Sequence, residues 1–157
     1  MNTHFILIKH ASESARGELL SASASCAQLL QWGFWPLYQR TRCRLMVKPG
    51  NTVLIYTAGQ GADARRILAK AKVSEVTPWT RQLENTCPLF LDGLPVSVLA
   101  LADIEYFEIP PVLTDHLDDL SFIPANRQKW GVSMMGGMRS ISDSDYQVLT
   151  TSQRGAK

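Results

Sequence analysis

WGFWPLYQRTRCRLMVKPGNTVLIYTAG, running from Trp32 to Gly59, is the stretch on which the reading of this chain turns. Four aromatic residues, Trp32, Phe34, Trp35 and Tyr38, fall within seven positions, and Arg40, Arg42 and Arg44 follow at alternate positions. Lys48-Pro49-Gly50-Asn51 then reads as a turn, since proline presets one turn dihedral and glycine accepts the positive φ that other residues resist. Thr52 to Tyr56 leaves that turn as a β-branched apolar strand. Flat π-faces beside guanidinium forks suit a nucleobase that carries its phosphate. The same residues also suit a hydrophobic cluster at a helix end with its arginines in water, and composition alone leaves both readings open.

Outward from this block, Phe5-Ile6-Leu7-Ile8 is a short continuous apolar run of the kind found in a buried strand. The Ala/Ser/Gly-rich segment from Ala11 to Ser25 reads as a loop, its side chains being too small to build much core. A short helix is expected from Ser25, as N-cap, to Trp32, ended by Gly33 and Pro36. After the turn come a strand over Thr52–Tyr56 and another over Arg66–Val76, where Ile67, Ala69, Ala71 and Val73 alternate with polar neighbours. A hairpin through Gly59 and Gly61 joins them. Val96 to Ile109 holds one or two more strands closed by Pro110-Pro111. Leu113 to Leu120 reads as a helical turn and Val132 to Met135 as a last short strand. Ser142-Asp143-Ser144-Asp145 opens a C-terminal helix in capping-box style, with aspartate standing where glutamate is usual. Five or six strands with short flanking helices make an α+β domain built on a closed or nearly closed β-barrel.

With 157 residues the chain is expected to form a single domain, 1–151, followed by a disordered tail, 152–157. At 45% hydrophobic and 19% charged residues the composition is that of an ordinary globular protein. A net charge of +2 argues against a protein that coats DNA non-specifically, because such affinity comes from many phosphate contacts. A small local basic patch remains open. Cys26, Cys43 and Cys87 form an odd, scattered set that suggests neither a zinc site nor a disulfide framework. No signal-peptide pattern and no run of membrane-spanning length is present, so a cytoplasmic protein without membrane contact is expected.

The block Trp35-Pro36-Leu37-Tyr38-Gln39-Arg40-Thr41-Arg42, the turn Lys48 to Asn51 leading into Val53-Leu54-Ile55-Tyr56, and the late Lys129-Trp130-Gly131 with Gly136-Gly137 resemble the EVE domain. That family belongs to the PUA-like superfamily, alongside the YTH and ASCH domains. The resemblance runs from about Phe5 to Leu149. Asn51 stands where an aspartate is expected, a small departure since both residues favour turns.

The resemblance implies a PUA-like barrel and a pocket, walled by aromatic side chains, for a base flipped out of its strand. On this reading the base-binding residues are Trp32, Phe34, Trp35, Tyr38, Tyr56, Thr57, Trp79 and Trp130, with Trp35 and Trp79 as the leading stackers. Each has a plain structural alternative as a core or rim residue. Arg40, Arg42, Arg44 and Arg81 are the phosphate-binding candidates, against the alternative of a solvated charged face. Asp92, in Leu91-Asp92-Gly93, reads as a turn former, with a base-edge acceptor as the alternative.

No G-x-S-x-G, P-loop or metal-ligand spacing is present, and His4, His10 and His116 are isolated in sequence. With the Trp32 to Arg44 block, the resemblance implies a non-catalytic module, needing no cofactor or metal, that recognises a modified cytosine or methylated adenine in DNA or RNA. It would act with a nuclease or other effector protein. The rivals are a small ASCH-like RNA-processing enzyme, which would need a base such as Lys9 or Tyr56 beside a nucleophile in the same cavity, and a protein-interaction module.

Overall fold

The computed structural model describes residues 3–155. Its first strand, β1 (His4–Lys9), shows how the fold is organised. Phe5 and Leu7 point into one apolar cluster while Ile6 and Ile8 point into another. A strand alternates its side chains between faces, so a continuous apolar run means a strand covered on both sides.

Two minimal strands, β2 (Ser12–Glu13) and β3 (Leu19–Leu20), pair antiparallel. They give structure to the segment expected to be a loop. Helix α1 (Ala22–Trp32) then begins earlier than the sequence suggests. Its N-cap is Ser21, whose hydroxyl accepts the Ala24 N–H at 3.0 Å. Ser25 instead turns its hydroxyl back to the Ser21 carbonyl at 2.8 Å, a bond available to a serine already inside a helix. Gly33 closes the helix at φ 90°, its N–H reaching the Leu29 carbonyl at 2.8 Å.

Beyond Gly33 the chain enters β4 (Phe34–Leu37). Pro36 therefore lies within a strand rather than ending a helix, which is tolerated because β4 is an edge that pairs only with a later strand. Strand β5 (Thr52–Thr57) turns through Gly59 and Gly61 into β6 (Arg66–Pro78), then come the short α2 (Arg81–Thr86) and one long strand, β7 (Ser97–Tyr106). A 3₁₀ turn occupies Leu113–His116, and a kinked 3₁₀ segment occupies Arg127–Met134. The strand expected at Val132–Met135 thus lies elsewhere. The last strand is β8 (Met138–Ile141), beyond the Gly136-Gly137 pair whose φ values of 87° and 79° suit glycine alone.

Helix α3 (Asp143–Gly155) opens as expected, with Ser142 Oγ accepting the Asp145 N–H at 3.1 Å. The Asp145 carboxylate is buried and also accepts the Ser121 N–H and hydroxyl at 2.8 and 2.6 Å. Of the tail segment, 152–155 continue α3 and 156–157 lie outside the described residues.

The six long strands form one sheet in the order β4-β7-β6-β5-β1-β8, with β1 and β5 parallel and every other pair antiparallel. Register shifts between β5 and β6 and between β6 and β7 bend the sheet into a barrel wall. The two outer strands, β4 and β8, approach without pairing. Just beyond them the Arg42 N–H donates to the Gly136 carbonyl at 2.9 Å, bridging the seam.

The inner core holds Phe5, Leu7, Trp35, Leu37, Val53, Ile55 and Met138, plugged by Leu29 and Leu30 of α1. On the outer face Ile6, Ile8, Leu54, Tyr56 and Ile67 are covered by Leu113, Leu120, Met134 and Leu149. The result is a mixed α+β fold on a nearly closed barrel.

Candidate functional site

The seam ends in a cavity. Ile8 and Lys9 at the end of β1, Leu29 of α1, Trp35 and Pro36 of β4, Tyr38 and Thr41 just beyond it, Leu89 and Leu91 of the α2–β7 loop, and Gly137 enclose about 120 Å³. A wider cleft of about 570 Å³ opens beside it, lined by Lys9, Ala11, Ser12, Glu13, Tyr38, Phe90 and Asp92. Lys9 and Tyr38 belong to both, so an apolar recess and an open vestibule share one aromatic ring and one amine.

Local sequence explains the placement. Lys9 closes a strand that is otherwise apolar, so its stem runs along the core while the amine reaches the rim. Burial holds its pKa below the ordinary 10.5, with the nearby Cys26 and Cys87 thiols opposing. No carboxylate among the described residues forms an ion pair with it. Burial likewise raises the Tyr38 phenol, with Cys87 and Asp92 adding to the effect. The ring lies close under the 92–93 turn: a Cβ added at Gly93 would sit 4.0 Å from Tyr38 Cε1. The α2–β7 loop is held over the vestibule by backbone bonds to the β2 hairpin, Phe90 N–H to the Glu13 carbonyl at 2.9 Å and Ala15 N–H to the Pro88 carbonyl at 2.9 Å.

The eight aromatic and strand residues expected to share one pocket are divided among three places. Trp35 and Tyr38 line the cavity, but Trp35 is 4% exposed and belongs to the inner core. It is a floor rather than a free stacking face.

Trp32, Phe34 and Trp79 form a separate edge-to-face cluster, with centroids 5.1 Å apart for Trp32–Phe34 and 6.2 Å for Trp32–Trp79. There the Trp32 indole N–H donates to Thr86 Oγ1 at 3.3 Å, while the buried Trp79 Nε1 has no partner among the described residues.

Tyr56, Thr57 and Trp130 lie away from both, Tyr56 and Trp130 in the outer-face cluster and Thr57 at the end of β5. Tyr56 is 1% exposed, and burial pushes its hydroxyl up to about 12. The Thr57 hydroxyl donates to the Asp63 carbonyl at 2.9 Å and accepts the Arg66 N–H at 3.2 Å, pinning the β5–β6 loop. Trp130 packs against the outer core, with the Arg65 guanidinium 5.3 Å from its ring centroid.

Of the phosphate candidates, Arg40 and Arg42 are exposed beside the cavity. The stem of Arg42 lies over Gly136, where a Cβ would come within 2.6 Å of Arg42 Cδ. Arg44 curls back, its Nε donating to the Gln39 carbonyl at 3.2 Å. Arg81 begins α2, near the Trp79 cluster.

Phe90, Glu13, Leu89 and Leu91 were not foreseen as site residues. Phe90 is 59% exposed, and such a large exposed aromatic in a Pro-rich loop was the available signal. Asp92 does sit at a turn, as expected, and also faces the vestibule.

No group of three or more potential metal-ligating side chains is gathered among the described residues. A hydroxyl–imidazole–carboxylate line does exist. His4 Nδ1 meets Thr52 Oγ1, and His4 Nε2 meets Asp143 Oδ1 at 2.5 Å. It lies at the opposite end of β1 from Lys9, and there it ties α3 to the sheet.

Against solved structures the similarity is one of shape. Human THYN1, solved in complex with DNA containing 5-methylcytosine, superposes with a TM-score of 0.57 at 15% identity, covering 97% of this chain and 98% of that one. A hypothetical protein from Leishmania major gives 0.60 at 11% identity, covering 99% and 96%. Rpa0253 from Rhodopseudomonas palustris gives 0.58 at 13% identity, covering 99% and 95%. No protein-family model and no curated protein matches the sequence. The fold is therefore the one seen in human THYN1 and in the DUF55 domain of human thymocyte nuclear protein 1. Among the described residues no helix is long and apolar enough to cross a membrane.

Proposed function

We propose that this chain binds nucleic acid and receives one extruded, modified base in the recess between Trp35 and Tyr38. The observation that carries the reading is the convergence of an apolar recess, an aromatic ring and an amine that forms no ion pair among the described residues at one mouth, with exposed Arg40 and Arg42 beside it. A base leaving its stack loses a few kcal/mol of stacking and pairing, which the recess must return. Tyr38 offers a ring face, Trp35 closes the floor, and Leu29, Leu89 and Leu91 offer apolar contact to an added methyl group, worth ~1 to 3 kcal/mol over the bare base. Arg40 and Arg42 hold the flanking phosphates. A modified cytosine or a methylated adenine is the guest, and the shared fold with THYN1, solved with 5-methylcytosine DNA, supports the former.

In this reading the chain recognises and does not transform its guest, leaving chemistry to an effector such as a nuclease. The test is a binding screen across DNA and RNA oligonucleotides differing in one modified base, with the products of long incubations analysed by mass spectrometry. Tighter binding of a modified strand, lost in Tyr38→Ala, is expected. Equal affinity for every strand sinks the reading, and product formed in proportion to protein replaces it with an enzyme.

A further inference from the structure

The vestibule carries charge that the stacking account does not use. Lys9, Glu13 and Asp92 all line it, and among the described residues none of the three forms an ion pair. Lys9 also reaches the recess, where Tyr38 presents its ring, and Asp92 lies close enough to Tyr38 to act on its phenol. An ammonium or amine only donates to a base edge, and an ionised carboxylate only accepts. A rim with one fixed donor and one fixed acceptor beside an aromatic face is a reader of edge polarity.

Resting on the base-recess reading, we propose that Asp92 and Lys9 select the amino-bearing edge of a cytosine-class base and reject the keto edge of a thymine or uracil of the same shape. The chemistry follows from the two edges. Cytosine offers an exocyclic N4–H₂ donor beside N3 and O2 acceptors, so Asp92 accepts from N4 while Lys9 donates to N3 or O2. In thymine O4 replaces N4–H₂ and N3 carries a hydrogen. Asp92 then faces a lone pair, so a charge-assisted hydrogen bond is exchanged for a contact between two acceptors. Selectivity for the methyl group and selectivity for the edge therefore reside in different residues, the first in the Leu29, Leu89 and Leu91 wall and the second in Asp92. Glu13 is the second carboxylate of the vestibule, and the Asp92 turn is the part of it that lies over the Tyr38 ring.

The decisive comparison is 5-methylcytosine against thymine, which share ring size and methyl group and differ in the 4-substituent and the N3 proton. Oligonucleotides carrying cytosine, 5-methylcytosine, uracil or thymine at one position are titrated into the purified full chain by fluorescence anisotropy. For the wild type, 5-methylcytosine is expected to bind at least about tenfold more tightly than thymine. Asp92→Asn, whose amide can donate to O4, should bring that ratio below about threefold by weakening 5-methylcytosine binding. Glu75→Gln, at an exposed position of β6 that lines neither the recess nor the vestibule, should leave it unchanged. Asp92 is exposed in a turn, and circular dichroism of each variant confirms that it folds. If wild type binds 5-methylcytosine and thymine equally, both above cytosine and uracil, the recess reads the methyl alone; the edge proposal falls and the base-recess reading stands. A ratio unmoved by Asp92→Asn also overturns it. If none of the four strands is preferred, the edge proposal falls, and a strand carrying methylated adenine that is not preferred either takes the base-recess reading with it.

Discussion

At the scale of single residues the structure separates two aromatic side chains that the sequence presents as equals. Trp35 is packed within the inner core, so Trp35→Ala creates a cavity and is expected to cost about 3 to 5 kcal/mol of stability. Denaturant unfolding measures that cost, and it makes the variant a poor probe of binding. Tyr38 is only half-buried, and Tyr38→Ala is expected to keep the fold while weakening binding of a modified strand by ~1 to 3 kcal/mol. A folded Tyr38→Ala protein of wild-type affinity removes the ring from the site.

Lys9 poses the opposite trade. Its pKa is held down by burial, so its charged form is less stable in the fold than in the unfolded chain. Below the folded pKa that penalty is present in full, and it disappears as pH rises past the unfolded value of 10.5. Lys9→Met is therefore expected to be more stable than wild type by about 0.5 to 2 kcal/mol at neutral pH. The advantage should shrink as the solution is made alkaline, while nucleic-acid binding is lost at every pH. Thermal melts across pH with parallel binding titrations check both halves.

At the scale of elements the seam loops set the geometry. Gly136 has a φ of 87°, and its missing side chain leaves the space into which the Arg42 stem packs. Gly136→Ala strains the backbone and displaces Arg42 together, so a loss of about 1 kcal/mol or more is expected, with weaker binding, by melts and anisotropy.

What the sequence disclosed follows the same division. Strands β1, β5 and β6, the Gly59–Gly61 hairpin and the Ser142 cap were legible because each rests on a local signal: an apolar run, a glycine pair, a hydroxyl three residues before a carboxylate. The start of α1 was hidden by three serines, Ser21, Ser23 and Ser25, any of which can cap, and the β2 hairpin by strands of two residues each. The aromatic block was legible as a site but not as a geometry. Whether Trp32 and Trp35 face one way depends on a helix ending between them, and Gly33 turns the chain there. Lys9, Phe90 and Asp92 meet only because β1 and the α2–β7 loop converge at the seam, which no spacing along the chain encodes.

At the scale of the whole molecule the charge is nearly balanced, at +2, so affinity must come from where the arginines stand rather than from their number. Arg40→Ala and Arg42→Ala are each expected to weaken modified and unmodified strands alike and to lower the slope of log affinity against log salt by about one unit. A slope equal to that of wild type takes the arginine out of the interface.

The barrel's open seam gives the whole design a further property. The recess takes Tyr38 and Thr41 from one bank and Gly137 from the other, and the Arg42–Gly136 bond crosses close by. On the proposed reading a guest seated there would bridge two edges that share no strand ladder, so occupancy would complete the cylinder in the manner of a missing stave.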